Sequence, residues 1–145
     1  MCLIVDANVA SDFFCAKAPH YKEVFEAVLE GRCCVYYGGK LRREYAQMRT
    51  VLLRILSLDK AGRAKVLPDN EIDQLTANLT RANVCKSNDA HVIALAMVAN
   101  SRLLCTNDQF LQDDFTNKDL LAKPRGKVYK NSSHYRLIGV HGRRC

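Results

Sequence analysis

The chain has no long apolar run. Its longest, Val92 to Ala99, is eight residues, far short of the roughly 20 that a membrane-spanning helix needs. The first, Leu3-Ile4-Val5, is interrupted by Asp6 before it can serve as a signal peptide, so no membrane association is expected. No two of the seven cysteines form a Cys-x-x-Cys pair. An odd, scattered set, several of them inside apolar strands where cysteine acts as a small hydrophobe, argues against a disulfide framework or a zinc site and for reduced thiols in a cytoplasm. Internal repeats and low-complexity segments are absent. So are Asp and Glu from residues 123–145.

What remains is an ordinary globular composition, 48% apolar and 26% charged over 145 residues, enough for one domain that buries about two-thirds of its unfolded surface. The net charge of +7 is unevenly placed. Residues 1–122 are formally neutral, and the excess belongs to Lys123, Arg125, Lys127, Lys130, Arg136, Arg143 and Arg144, with His134 and His141 among them. We therefore divide the chain into residues 1–122 and a basic C-terminal segment, 123–145, within the same domain. A basic segment suits a polyanionic partner; it is equally compatible with a solvated tail.

Strand and helix patterns alternate along the chain. Cys2 to Val5 reads as a buried strand, all apolar without alternation, as in a parallel sheet covered on both faces. A helical stretch follows from Asn8 to Phe14, then an amphipathic helix on Tyr21, Val24, Phe25, Val28 and Leu29 that Gly31 stops. Cys33 to Tyr37 reads as a second strand and Leu41 to Leu56 as one long helix. Asp69 or Asn70 can cap a helix striped by Ile72, Leu75, Leu79 and Ala82. Ser87-Asn88-Asp89 leads into a helix from Ala90 to Ala99, apolar all round apart from His91 and therefore central. Arg102 to Thr106 is the next strand, with a short helix around Phe110, Leu111 and Phe115 after it. Gly126 to Tyr129 reads as a last edge strand, and Tyr135 to Val140 is ambiguous. The alternation predicts an α/β fold, a three-layer α/β/α sandwich around a mainly parallel sheet.

In such a sheet ligands bind outside the carboxyl ends of the strands, at the switch in strand order. Asp6 and Asp108 each follow a strand, and Asp89 opens the helix that precedes the Arg102 strand, so all three are expected at that edge. Glu44 enters by its helical angle. At about 100° per residue, with Leu41 at zero, Tyr45, Met48, Leu52, Ile55 and Leu56 fall within roughly ±60° and Glu44 at about −60°. A glutamate at the margin of a core-facing stripe points either to an arginine or to a metal cluster. Each aspartate has an alternative as a helix cap or dipole partner, but carboxylates at such places are costly unless something positive meets them.

Four oxygen ligands without histidine or cysteine favour Mg²⁺ or Mn²⁺, and with them metal-assisted hydrolysis of a phosphodiester. An aspartyl phosphotransferase would want a second Asp where Asn8 stands. A glycosidase would have no use for the basic segment. His20 and His91 lack ligand-pair spacing and are expected to be structural or exposed. Asp113 and Asp114 offer a further ligand at most and are expected on the exposed side of a short helix.

The motifs together resemble the PIN-domain ribonucleases. Leu3-Ile4-Val5-Asp6-Ala7-Asn8-Val9 is similar to the family's opening, Asn88-Asp89-Ala90-His91-Val92-Ile93-Ala94 to its third acidic motif, and Leu103-Leu104-Cys105-Thr106-Asn107-Asp108 to its last. Glu44 falls where the family's glutamate would. The resemblance spans Cys2 to about Phe115. It implies an α/β/α sandwich that cleaves single-stranded RNA with Mg²⁺ or Mn²⁺, with Asp6, Glu44, Asp89 and Asp108 as catalytic metal ligands and Asn8 and Thr106 supporting them. Many stand-alone members of this length are VapC-type toxins of toxin–antitoxin pairs, usually dimeric and blocked by a partner protein. The resemblance thus implies RNA, an antitoxin and a second copy as partners. The Pro68 to Asn83 segment and the basic extension depart from the family pattern. Two alternatives stay open: a PIN-like module that binds RNA or protein without cutting, and a structure-specific DNA nuclease, whose helical arch the chain lacks.

Overall fold

Three apolar triplets form the centre of the sheet: β1 (Leu3–Val5), β2 (Val35–Tyr37) and β4 (Leu103–Cys105). In the computed structural model, which describes residues 2–141 with side chains to Ile138, β1 and β4 are buried at every position. Strands enclosed on both faces gain nothing from polar alternation, which is why these read as continuous apolar runs. β3 (Ala64–Val66) and β5 (Lys127–Val128) complete a five-stranded sheet in the order β3-β2-β1-β4-β5, parallel throughout. Each outer strand carries an exposed lysine, Lys65 or Lys127, which discourages pairing with another chain. β3 was not expected. Ala-Lys-Val offers one β-branched residue beside a charge, and only pairing with Val35-Tyr36-Tyr37 makes it a strand.

Helices flank this sheet: α1 (Ala7–Phe14), α2 (Lys22–Leu29), α3 (Gly39–Ala46), α4 (Arg49–Lys60), α5 (Asp69–Ala82), α6 (Ala90–Val98) and α7 (Gln109–Thr116). The architecture is the expected α/β/α sandwich. The expected single helix from Leu41 to Leu56 is instead two, α3 and α4. Met48 leaves helical geometry (φ −109°, ψ 91°) and its carbonyl starts the next helix by accepting from Leu52 N–H. The break re-aims the apolar face: Val51, Ile55 and Leu58 are buried, while Leu56 is half exposed. No glycine or proline marks it, so periodicity ran straight through. Among the described residues no helix is long and apolar enough to cross a membrane. Cys2, Cys15, Cys85 and Cys105 are free thiols. Cys34 is disulfide-bonded, contrary to the all-thiol expectation.

The basic segment is built into the sheet through β5. Tyr129 is fully buried and its N–H donates to Leu104 O at 2.8 Å. Gly126 passes so close to α7 that a Cβ there would lie 1.9 Å from Phe115 O. Arg102, 8% exposed, fastens the segment: its guanidinium donates to the carbonyls of Pro124 (2.8 Å), Ala96 (2.9 Å) and Ser101 (2.8 Å). A last helix, α8 (Arg136–His141), covers the stretch left ambiguous by its sequence. Arg143 and Arg144 lie outside the described residues. Replacing Arg102 by Met leaves three carbonyls without their donor, so Arg102→Met should lower the unfolding free energy by about 3 kcal/mol. Urea denaturation measures this, and a loss below about 1 kcal/mol would show that the guanidinium does not fasten the segment.

Candidate active site at the carboxyl edge of the sheet

β1 and β4 are neighbours at the switch in strand order, paired Leu3 to Leu103, Ile4 to Leu104 and Val5 to Cys105. They therefore end level, and Asp6 N–H donates to Cys105 O at 2.9 Å. The residues that follow face each other: Thr106 Oγ1 donates to Asp6 Oδ2 at 2.7 Å and accepts from Asp108 N–H at 3.1 Å. The hydroxyl has one proton, and the short bond assigns it to Asp6. Asn8, exposed, reaches Thr106 Oγ1 only at 3.5 Å, the limit of a hydrogen bond. Beneath Asp6, the buried Tyr45 donates its phenol proton to Val5 O.

Asp6, Asp89 and Asp108 each stand directly before a helix, where a carboxylate commonly caps. Only Asp108 does so, its Oδ1 accepting from Leu111 N–H at 2.9 Å. Asp6 and Asp89 make no side-chain cap bond to α1 or α6. Capping thus accounts for one of the three and leaves two carboxylates without that role.

Asp89 is placed by a residue expected to be exposed. Asp114 is 2% exposed, and its two oxygens accept from Lys86 N–H and Ser87 N–H, both at 2.8 Å. It therefore ties the turn that leads into Asp89 to α7. The sequence pattern put Asp114 beside Asp113 on the outer face of α7, but a carboxylate that meets two backbone donors can be buried. Asp113 is half exposed.

Glu44 comes from α3, which packs on α6. It is neither a plain arginine partner nor free. Lys40 Nζ stands 3.7 Å from Oε1, and His91 Nε2 stands 3.2 Å from Oε2. His91, 2% exposed, is also 3.9 Å from Asp89 Oδ1 through Nδ1. It was expected to be merely structural or exposed, yet it lies between two of the four acids. The signal was present in its position two residues after Asp89, as the single polar side chain of an otherwise apolar helix. His20 is exposed.

Asp6 feels the charges of both Asp89 and Glu44. Burial raises the Asp6 pKa from the ordinary 3.8 to about 6, the Thr106 bond and the Ala7 N–H oppose this, and the charges of Asp89 and Glu44 push it further up. Burial, partly countered by Glu44, lowers the pKa of His91. Asp108 is joined to this group through Thr106. Among the described residues no Lys or Arg comes within ion-pair distance of Asp6 or Asp89. Nor do three His, Cys, Asp or Glu side chains form a ready-made metal cage there. The donor set is nevertheless that of a hard divalent cation, oxygen-rich and short of positive charge. The parallel pairing of β5 with β4 also brings Lys130, just past the end of β5, to this edge. There it lines a cleft of about 360 Å³ against Gln109, Gln112 and Asp113 of α7.

Comparison of the chain with protein-family models, curated proteins and solved structures finds no match.

The raised Asp6 pKa has a definite consequence for metal-free protein. The folded state holds this proton more tightly than the unfolded chain, so stability is greatest below the unfolded value and declines as pH rises from about 4 to about 6. The penalty above that window is on the order of 3 kcal/mol. Asp6→Asn, which still accepts from Thr106, should therefore be more stable than the parent at pH 8 and level with it near pH 4. Urea unfolding at both pH values tests this; an Asn variant less stable at pH 8 contradicts the assignment.

Proposed function

We propose that this chain is a metal-dependent endoribonuclease that hydrolyses phosphodiester bonds of single-stranded RNA. The observation that carries this reading is that the buried Asp6 and its neighbour Asp89 have no lysine or arginine within ion-pair distance among the described residues, while Asp89 and Glu44 add their negative charge at Asp6. Carboxylates gathered without a lysine or arginine between them are stable only with protons or a cation. Asp6, Glu44 and Asp89 would hold Mg²⁺ or Mn²⁺, with Asp108 on the same rim. The ion supplies a water of lowered pKa and charge compensation for the leaving oxygen.

The chain's own groups do the rest. Thr106 fixes which Asp6 oxygen stays available by occupying the other. Asp114 and α6 hold Asp89 in place. Lys130 offers a cation for a flanking phosphate. The PIN-domain resemblance supports RNA as the substrate. It further supports a toxin role, with an antitoxin protein and a second copy as partners, in a cytoplasm. The second reading is a PIN-like module that binds without cutting. The contacts of Glu44 with Lys40 and His91 and the capping by Asp108 favour it.

Purified protein should cleave single-stranded RNA with Mn²⁺ or Mg²⁺ and lose that activity in chelator. Asp6→Asn and Asp89→Asn should each lower the rate by at least about 100-fold. Cleavage that survives either substitution, or persists in chelator, rules the proposal out. Asp108→Asn separates two roles, since asparagine caps as well as aspartate. Its melting temperature should be unchanged while the cleavage rate falls, and an unchanged rate would reduce Asp108 to a cap.

A further inference from the structure

We infer that His91 is a positioning residue that holds Glu44 at the acidic rim by donating its Nε2–H to the carboxylate; this rests on the metal-dependent reading above. The bond assignment follows from chemistry. An ionised carboxylate accepts only, so at 3.2 Å from Glu44 Oε2 the ring nitrogen must be the donor. The other nitrogen, Nδ1, stands 3.9 Å from Asp89 Oδ1, beyond hydrogen-bond distance. A neutral ring protonated on Nε2 satisfies both relations.

The remaining geometry makes this contact more than incidental. The ring is 2% exposed and stands on the first turn of α6, between Val92 and Ala90, both buried. It cannot swing away without opening the α3–α6 contact. Glu44, by contrast, is 30% exposed on a side chain with three rotatable bonds, and long flexible acids lose entropy when fixed. The other group on Glu44 is Lys40, itself half exposed at 3.7 Å. A solvated pair of this kind contributes little. The rigid partner is therefore His91. By occupying Oε2 it leaves Oε1, which faces Lys40, as the oxygen available to a cation. Lys40 then competes with that cation for the same atom, so the two neighbours of Glu44 act in opposite directions.

Two measurements test this. The first is the ¹⁵N spectrum of the His91 ring in metal-free protein near pH 7.5. The proton is expected on Nε2, with a clear shift of that resonance in Glu44→Ala; a proton on Nδ1, or no response to Glu44→Ala, overturns the inference. The second is Mn²⁺ affinity by calorimetry without RNA, beside a thermal melt. His91→Leu should bind Mn²⁺ about 10-fold more weakly or worse, His91→Gln, which keeps an N–H donor, should recover part of the loss, and Lys40→Ala should bind at least as tightly as the parent. A folded His91→Leu with parental affinity overturns the inference while leaving the nuclease reading intact. A parent protein that binds no Mn²⁺ removes the nuclease reading, and the ring spectrum still decides whether His91 holds Glu44. If His91→Leu fails to fold, the spectrum and His91→Gln carry the test.

Discussion

Pairing Leu3-Ile4-Val5 with Leu103-Leu104-Cys105, parallel and in register, brings two segments 100 residues apart to one level at the switch in strand order. Because the strands end together, the next side chains must meet, and Thr106 meets Asp6. The hydroxyl faces two ways, proton toward the carboxylate and lone pair toward the Asp108 N–H. It thereby sets both the free oxygen of Asp6 and the start of α7. A serine would offer the same bonds with more rotational freedom; the β-branched threonine holds its χ1. The apolar triplets thus do two things at once. They exclude water from the sheet's centre, and they deliver a carboxylate into an environment that penalises its charge.

That penalty gives the edge its chemical character. A buried Asp6 that feels the charges of Asp89 and Glu44 is costly in its ionised form, and the buried Tyr45, whose hydroxyl donates to Val5 O, does not relieve it. The protein spends folding free energy here, which Arg102, β5 and the enclosed helices offset elsewhere. Buried, perturbed carboxylates of this kind concentrate at sites that act on a ligand, which is the ground of the metal-dependent reading proposed above. Two lysines border the same edge: Lys130 lines the cleft against α7, and Lys40 Nζ stands 3.7 Å from Glu44 Oε1.

How much of this could be read beforehand divides along physical lines. The strands β1 and β4 announce themselves because burial on both faces leaves only apolar residues. Asp6 and Asp108 follow from strand endings, and Glu44 from one turn of helical angle close to Leu41. Features that depend on a distant partner could not be read. β3 owes its existence to β2, and the break at Met48 to the way α3 and α4 meet the sheet, not to any breaker residue. Asp114 is buried because the backbone of Lys86 and Ser87 turns toward it, and no local pattern encodes that turn. The helical angle put Glu44 at the margin of the stripe of Leu41 and Tyr45; beyond the break at Met48 it still caught the buried Ile55 but carried the half-exposed Leu56 into the same stripe.

His91 lies at the boundary of what a sequence can say. An isolated polar residue in an apolar helix is ordinarily a core histidine with a backbone partner, and local information supports no more. What distinguishes it is the companion helix: α3 arrives carrying Glu44 at the level of the first turn of α6, and Asp89 stands at that helix's start. Glu44 stands on one side of the imidazole, at hydrogen-bond distance from Nε2, and Asp89 on the other, 3.9 Å from Nδ1. The four acids alone describe a basin of charge. With His91 and Thr106 included, Asp6 and Glu44 each have one oxygen tethered, Oδ2 by the threonine hydroxyl and Oε2 at 3.2 Å from the imidazole, so the edge is asymmetric as well as acidic.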